Sequence, residues 1–323
     1  MYANLPEALV NAGLISTPAY SLWLDDLDSS TGSILFGGID TVKYHGGLIS
    51  IPVYGNSQRG NVTSFLVALT SLSATSSTGT DTLTPNGYAQ AVILDSGTTL
   101  TLLPDDIAAK VFTELGATND EQLGAVVVPC TLANNTGTLN YVFGGPGGPE
   151  IKVPMSELVL PLTLTNGKSL TYKDGTKACQ LGIQAAGDLP ILFGDTFLRS
   201  AYVVYDLANN QIGIAQTDFN ATGSNVVEFA SRGAKIPDAQ MATATVSGIT
   251  QTQTGIPHSE ATQTVGGTGN VTPVTSTATG LSAASGFSEN AAGRTEPFRW
   301  EVVVVMGGWM ALMGVGGGLF VWA

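Results

Sequence analysis

Short runs of alternating hydrophobic and polar residues fill the first two thirds of the chain, and this period of two predicts many short strands. Residues 20–24 and 33–38 stand on either side of a polar turn and predict a hairpin. A second hairpin is predicted at residues 202–207 and 211–215, around the Asn209-Asn210 turn. Further strands are predicted at residues 48–53, 64–72, 141–143, 151–153 and 158–164. The chain is therefore expected to be mostly β.

Two segments show helical rather than strand periodicity. Residues 4–15 place four apolar residues on one predicted face: Leu5, Ala8, Leu9 and Ala12. Residues 104–115 begin with a proline and two acidic residues and end before Gly116, which are the usual signals for the start and end of a helix. The buried face of this second helix is expected at Ile107, Val111 and Leu115.

The segment with the clearest chemical character is residues 91–99. The apolar run Ala91-Val92-Ile93-Leu94 predicts a strand buried on both faces, and it leads directly into Asp95. Ser96, Gly97, Thr98 and Thr99 follow, so that hydroxyl groups and a permissive backbone surround the carboxylate. A carboxylate held on a rigid strand among donors is a candidate for acid–base chemistry, although an Asp-Ser-Gly turn between strands is also common.

Charge and histidine content exclude several other classes of protein. The chain has 12 Lys and Arg against 25 Asp and Glu, so it has no basic surface for binding nucleic acid. Its two histidines lie far apart, at His45 and His258, and predict no zinc site. The acidic run at residues 25–28 is interpreted as a solvated turn. We therefore expect no metal and no cofactor.

Cysteines and glycosylation sequons bear on the cellular compartment. Cys130 and Cys179 could form one disulfide, a redox pair or two separate buried thiols. Asn-x-Ser/Thr sequons occur at Asn61, Asn134, Asn220 and Asn270, and four of them favour a secreted glycoprotein.

The last third of the chain differs in composition. Residues 220–295 are rich in Thr, Ser, Gly and Ala without apolar periodicity, which predicts a disordered stalk. Residues 296–323 lead into an apolar C-terminal tail, and small residues precede its polar spacer. This layout favours a glycosylphosphatidylinositol (GPI) signal with attachment at Asn290, or alternatively at Ser285 or Gly286. A plain transmembrane helix is the other interpretation.

Taken in order, the motifs resemble the C-terminal lobe of a pepsin-like aspartic protease. The resemblance rests on Asp95-Ser96-Gly97-Thr98-Thr99, the helix that follows it, and the later Ile191-Leu192-Phe193-Gly194-Asp195. It covers residues 1–219, and residues 1–40 resemble the strands that cross between lobes. Within that family, the resemblance is to fungal, GPI-anchored, yapsin-type proteases.

The resemblance implies a fold and a role for each residue of the motif. The fold would be the C-terminal lobe of a bilobal acid protease, with Cys130 and Cys179 as its usual disulfide. Asp95 would be one of two catalytic carboxylates that share a proton and activate water. Ser96 would contact the other lobe, and Thr98 would hydrogen-bond the outer carboxylate oxygen. Gly97 and Thr99 would line the cleft for a peptide or protein substrate. The apolar loop at Ile191 to Gly194 would pack against the Asp95 turn and hold it rigid.

One feature of the family pattern is missing from the sequence. A second Asp-Thr/Ser-Gly, carried by an N-terminal lobe, does not occur, and residues 1–10 do not form a signal peptide. We therefore expect the C-terminal half of a cell-surface aspartic endopeptidase that begins inside a longer protein and is inactive alone. The alternatives are a homodimer that pairs two Asp95 residues and a non-catalytic cell-wall glycoprotein.

Overall fold

A computed structural model of the protein describes residues 3–29, 31–55, 62, 64–120, 123–162, 169–244, 246, 249 and 282–287. The described strands are β1 Ala19–Trp23, β2 Ser33–Phe36, β3 Gly38–Asp40, β4 Tyr44–Pro52, β5 Leu66–Ser76, β6 Gly79–Thr82, β7 Gln90–Leu94, β8 Thr101–Leu103, β9 Thr118–Asp120, β10 Ala125–Pro129, β11 Thr138–Phe143, β12 Glu150–Pro154, β13 Val159–Leu160, β14 Ala178–Leu181, β15 Ile183–Ala185, β16 Leu192–Phe193, β17 Ala201–Asp206, β18 Gln211–Thr217, β19 Val226–Glu228 and β20 Gln240–Met241. The described helices are α1 Leu5–Asn11, α2 Asp105–Leu115, α3 Met155–Leu158, α4 Asp195–Leu198 and α5 Ala284–Phe287, with a 3-10 turn at Cys130–Asn134.

The strands form three larger sheets and one two-stranded pair. One sheet has the order β2-β1-β17-β18-β4-β20, a second has the order β13-β14-β10-β9, and β19 pairs with β3. The third sheet, β12-β11-β5-β7-β16-β8-β15 with β6 alongside β5, carries the segment that contains Asp95. Both predicted hairpins are present, as the antiparallel pairs β1–β2 and β17–β18.

The centre of the third sheet has an unusual strand order. β16 lies between β7 and β8, parallel to β7 and antiparallel to β8. The chain therefore leaves β7, turns at Asp95 and enters β8 around a strand that arrives almost a hundred residues later. β16 thus pairs with the strand before the Asp95 turn and with the strand after it, and so holds both ends of the turn.

Several predicted element bounds and faces change in the structure. The helix at α2 is confirmed, with Ile107, Val111 and Leu115 buried and Gly116 ending it in the left-handed conformation at φ 61°. The first helix is shorter than predicted, because it ends at Asn11, and its expected apolar face is wrong: Leu5 is 53% exposed. The strand predicted at residues 158–164 is also wrong at its start, since Leu158 ends α3 and β13 spans only Val159–Leu160.

The predicted disordered stalk needs a larger correction, since the described residues beyond 219 pack onto the sheets. β19 pairs with β3, β20 pairs with β4, and Phe229 and Ile236 are each only 1% exposed. Ile249 is buried against Leu66 and Ala91. The sequence pattern did not predict this packing, because the apolar residues involved are widely spaced and are buried against strands that are distant along the chain. The structured part of the chain thus continues past residue 219.

The main hydrophobic core brings together residues of the three larger sheets and of the helices. Four aromatic rings, from Tyr141, Phe143, Phe193 and Phe197, contact one another there with centroids 5.0–6.0 Å apart. Phe193 belongs to β16 and Phe197 to α4, so this cluster anchors the segment that passes behind Asp95. Large buried aromatic side chains contribute strongly to stability.

Candidate active site

Asp95 follows the last residue of β7 and is held in place by β16. Its backbone N–H donates to the carbonyl of Phe193 at 3.0 Å, and two residues earlier Ile93 N donates to Ile191 O at 2.9 Å. The strand behind it is buried, with Val92 at 0% and Leu94 at 2% exposure. Asp95 itself is half-buried, so the strand delivers its carboxylate to the surface from a rigid support.

Both carboxylate oxygens of Asp95 accept hydrogen bonds from the turn that follows. Gly97 N–H donates to Oδ1 at 3.0 Å, and the Thr98 hydroxyl donates to Oδ2 at 2.7 Å. Ser96, Gly97 and Thr99 are exposed around the carboxylate. The two donors orient the carboxylate without adding a charge, and its remaining lone pairs face solvent.

The Asp95 turn packs against the loop that begins at Gly194. Asp195 N donates to the Thr98 carbonyl at 2.8 Å, and Thr196 N donates to the Thr99 carbonyl at 3.1 Å. A Cβ on Gly194 would clash with the carbonyl oxygens of Thr98 and Leu100. Only glycine permits the two backbones to approach this closely. The later loop therefore holds the turn rigid, as the resemblance implied.

A buried pair of hydroxyl groups joins the same elements below the turn. Thr101 of β8 and Thr196 of α4 are both 0% exposed, and their Oγ1 atoms lie 2.9 Å apart. Thr196 Oγ1 also donates to the carbonyl of Gly182 at 2.8 Å. Sequence reasoning missed this pair, because a threonine in a strand indicates β propensity rather than a particular partner.

Three aromatic rings lie close to Asp95 on the side of the first sheet. Tyr20 and Tyr205 stack with centroids 4.7 Å apart, and Phe65 lies 4.5 Å from Tyr205. Burial raises the pKa of Tyr205 well above its ordinary value, and the charges of Tyr20 and Asp95 raise it further. The phenol therefore stays neutral, and the rings give the carboxylate an apolar neighbour.

A second carboxylate, which sequence reasoning did not assign to the site, belongs to Asp195. Burial raises its pKa to about 6, Arg199 opposes that effect, and the charge of Asp95 adds to it. The available signal was the position of Asp195 directly after Gly194 in a loop that was expected to pack on Asp95. The charge of Asp95 thus makes Asp195 harder to ionise.

The raised pKa of Asp195 predicts a dependence of stability on pH. Because the folded protein holds the Asp195 proton more tightly than the unfolded chain does, the free energy of unfolding should fall as the pH rises from about 4 to about 6. In Asp195→Asn, the fall in the free energy of unfolding should be smaller by about 2 kcal/mol at pH 7. Urea unfolding at pH 3.5, 5 and 7 measures the effect, with the exposed Asp188→Asn as a charge-matched control. Parallel pH profiles for wild type and Asp195→Asn would contradict the prediction.

The other candidate residues belong to other parts of the chain. Cys130 and Cys179 form a disulfide with a Cα–Cα distance of 4.9 Å. Asn134 and Asn220 are both exposed, and Asn220 Nδ2 donates to Asp26 Oδ2 at 2.6 Å. The positions Asn61, Asn270 and Asn290 lie outside the described residues. Their glycosylation and lipid attachment therefore stay predictions.

Neither a metal-binding cluster nor a membrane-spanning helix is found in the part of the chain that the structure describes. In that part, no group of three or more His, Cys, Asp or Glu side chains is placed to hold a metal ion. No helix within the described ranges is both long enough and apolar enough to cross a membrane. The apolar C-terminal tail lies outside those ranges.

Comparison with known proteins gives consistent results. Residues 1–217 match the family model for eukaryotic aspartyl protease. A probable aspartic-type endopeptidase OPSB from Arthroderma benhamiae is 46% identical over 259 residues, which are 79% of this chain and 51% of the relative. Aspartic proteinase 3 from Saccharomyces cerevisiae is 34% identical over 287 residues, which are 87% of this chain and 47% of the relative. The chain thus spans about half the length of these curated relatives.

A solved structure supports the same assignment. The crystal structure of aspartic proteinase from Irpex lacteus is similar with a TM-score of 0.51 and 25% identity, covering 69% of this chain and 63% of that one. The predicted mostly-β, pepsin-like fold is thereby confirmed. Together with the match over residues 1–217, these comparisons show that the chain belongs to the eukaryotic aspartyl protease family.

Proposed function

We propose that the chain carries one half of the active site of an aspartic endopeptidase, with Asp95 as one of its two catalytic carboxylates. The observation that carries this proposal is the geometry at Asp95. A buried strand presents the carboxylate, two donors orient its oxygens, and its outer side faces solvent. Relatives named as aspartic endopeptidases support the reaction class.

The proposed reaction uses Asp95 together with a second carboxylate. Two carboxylates held close together share one proton, because two like charges at that distance cannot both ionise. The pair deprotonates a water molecule, which attacks the peptide carbonyl, and then protonates the leaving amine. Thr98 fixes the orientation of Asp95, while Gly97 and Thr99 line the cleft and Ser96 contacts the other lobe.

We place the second carboxylate in a segment outside these 323 residues. The sequence has a single Asp-Ser/Thr-Gly motif, and the relatives are about twice as long as the matched region. The chain alone is therefore expected to hydrolyse peptides weakly or not at all. In this proposal the domain begins as predicted but includes the packed residues beyond 219.

The proposed location is the outer face of the cell surface. A relative from Candida albicans is named secreted aspartic protease 9, and the sequons and the disulfide fit an oxidising compartment. The apolar tail would be exchanged for a GPI anchor at Asn290. Release of the protein from cells by a phosphatidylinositol-specific phospholipase tests the anchor, and release that fails would favour a transmembrane helix.

Activity measurements test the catalytic proposal. The full chain is produced alone and together with the part of the Arthroderma benhamiae relative that it does not match, and casein hydrolysis is measured at acid pH. Hydrolysis is expected only for the combination, and Asp95→Asn should lower it at least about 10³-fold because the proton-sharing pair is lost. The exposed Asp188→Asn is the matched control and should keep full activity.

The remaining outcomes identify the alternatives. Hydrolysis by the chain alone that is lost in Asp95→Asn, together with a dimer in sedimentation, would overturn the half-site proposal in favour of a homodimer. A well-folded combination that neither hydrolyses casein nor binds pepstatin would instead favour a non-catalytic cell-wall glycoprotein.

A further inference from the structure

Six residues that follow a long connecting segment, 282–287, lie against the domain on the side of the β5–β6 hairpin. They include the short helix α5, which also contacts α2. The surface that receives them, here called the hairpin groove, is formed by Ser76, Thr78, Asp81, Asn135 and Gly137. This part of the chain was predicted to be stalk, so its specific contacts require a separate explanation.

The start of the segment is bound through its backbone. Asp81 accepts hydrogen bonds from Ala283 N at 2.6 Å and from Ser282 Oγ at 2.9 Å. Burial works to raise the pKa of Asp81, but these hydrogen bonds, together with an interaction with the Glu114 side chain, outweigh it and hold the pKa below its ordinary value. The ionised carboxylate is therefore the form that binds the segment.

Two hydroxyl groups of the hairpin bind the carbonyls of the segment. Thr78 Oγ1 donates to Ser282 O and Ser76 Oγ donates to Ala283 O, each at 2.6 Å. Because these bonds are made to carbonyl groups, they specify the backbone path of the segment, a bend followed by a helical turn, rather than a particular side chain.

The end of the segment is held by an apolar contact and one amide. Asn135 Nδ2 donates to the Gly286 carbonyl at 2.8 Å. Ala283 is 0% exposed and Phe287 is 7% exposed, and both belong to the main hydrophobic core. The ring of Phe287 occupies the space that a side chain at Gly137 would need. Gly286 is confined in the same way, since a Cβ there would clash with the side chains of Ser76 and Thr78.

We propose that the hairpin groove is a binding site for residues 282–287 of the same chain, which act as a clip that returns the chain to the domain. Residues 250–281 then connect two points that are both fixed on the domain. Backbone hydrogen bonds, a buried aromatic ring and glycines at the closest approaches together distinguish this contact from chance packing. Residues 282–287 should therefore stay bound in the hairpin groove even after the chain is cut within residues 250–281.

A cutting experiment tests this proposal. A recognition sequence for a site-specific protease is inserted after Gly266 in the full chain, and the detergent-solubilised protein is cut and passed over a size-exclusion column. The two fragments should elute together for wild type. Phe287→Ala and Ala283→Arg should each raise the separated fraction about tenfold or more, because one removes a buried ring and the other puts a charge in a fully buried position.

Controls separate loss of the clip from loss of the fold. Met241→Ala, at a position that is 59% exposed on the domain, should leave the fragments together. Circular dichroism of each uncut variant should match wild type. Wild-type fragments that separate after cutting would overturn the proposal, and so would clip variants whose fragments stay together. Neither result changes the protease assignment, since no substituted residue touches Asp95.

Discussion

Arg199→Met is expected to lower the free energy of unfolding by about 3–5 kcal/mol at neutral pH. Arg199 Nε lies 2.6 Å from Glu157 Oε2, its second guanidinium nitrogen donates to the Glu157 carbonyl at 2.7 Å, and the two residues are 8% and 3% exposed. The substitution leaves Glu157 as a buried charge without its cationic partner. Urea unfolding measures the change.

The pH dependence and a second ion pair provide the controls for Arg199→Met. Burial already raises the pKa of Glu157 despite Arg199, so without Arg199 this carboxyl should become protonated in mild acid and the loss of stability should shrink there. The exposed pair Arg232–Glu7 is the matched comparison, with side chains 54% and 28% exposed. Arg232→Met should leave the unfolding midpoint nearly unchanged. Equal losses for the two arginine variants would contradict the prediction.

Replacing both Cys130 and Cys179 with serine is expected to lower the free energy of unfolding by about 4 kcal/mol. The disulfide closes a connection of 49 residues, and without it the unfolded chain gains the entropy of that open loop. The native strands should persist because β10 and β14 pair through backbone hydrogen bonds at the same place. Denaturant titration of the double variant measures the difference.

Reduction of the wild-type protein gives an independent check of the disulfide prediction. Unfolding in the presence of a thiol reductant should reproduce the midpoint of the double serine variant, since both open the same loop. A double variant that unfolds at the wild-type denaturant concentration would show that the disulfide adds nothing to stability.

The sequence was sufficient to predict the Asp95 turn and α2. In both cases the deciding information is local: an apolar run meets a polar turn at Asp95, and a proline start and a glycine stop bound the helix. Local patterns report backbone conformation and burial well, because these depend on neighbouring residues along the chain.

Contacts between distant segments could not be predicted in this way. The Thr101–Thr196 hydroxyl pair joins residues 95 positions apart, and Phe229 is buried although the residues directly beside it, Glu228 and Ala230, are exposed. The raised pKa of Asp195 likewise depends on burial by elements that no local pattern identifies. Residues 4–15 failed in the opposite sense, since their apolar spacing predicted a buried face, whereas Leu5, Ala8 and Ala12 are exposed.

The clip also limits how far the domain can stand from a membrane. Ser285 and Gly286 lie within the bound segment, and lipid attachment at either residue would remove Phe287 together with the tail, so the clip would lose its buried ring. From Phe287 the chain needs only three more residues to reach Asn290, and these span at most about 10 Å. With the anchor proposed at Asn290, the face of the domain that carries the hairpin groove would therefore be held close to the anchor.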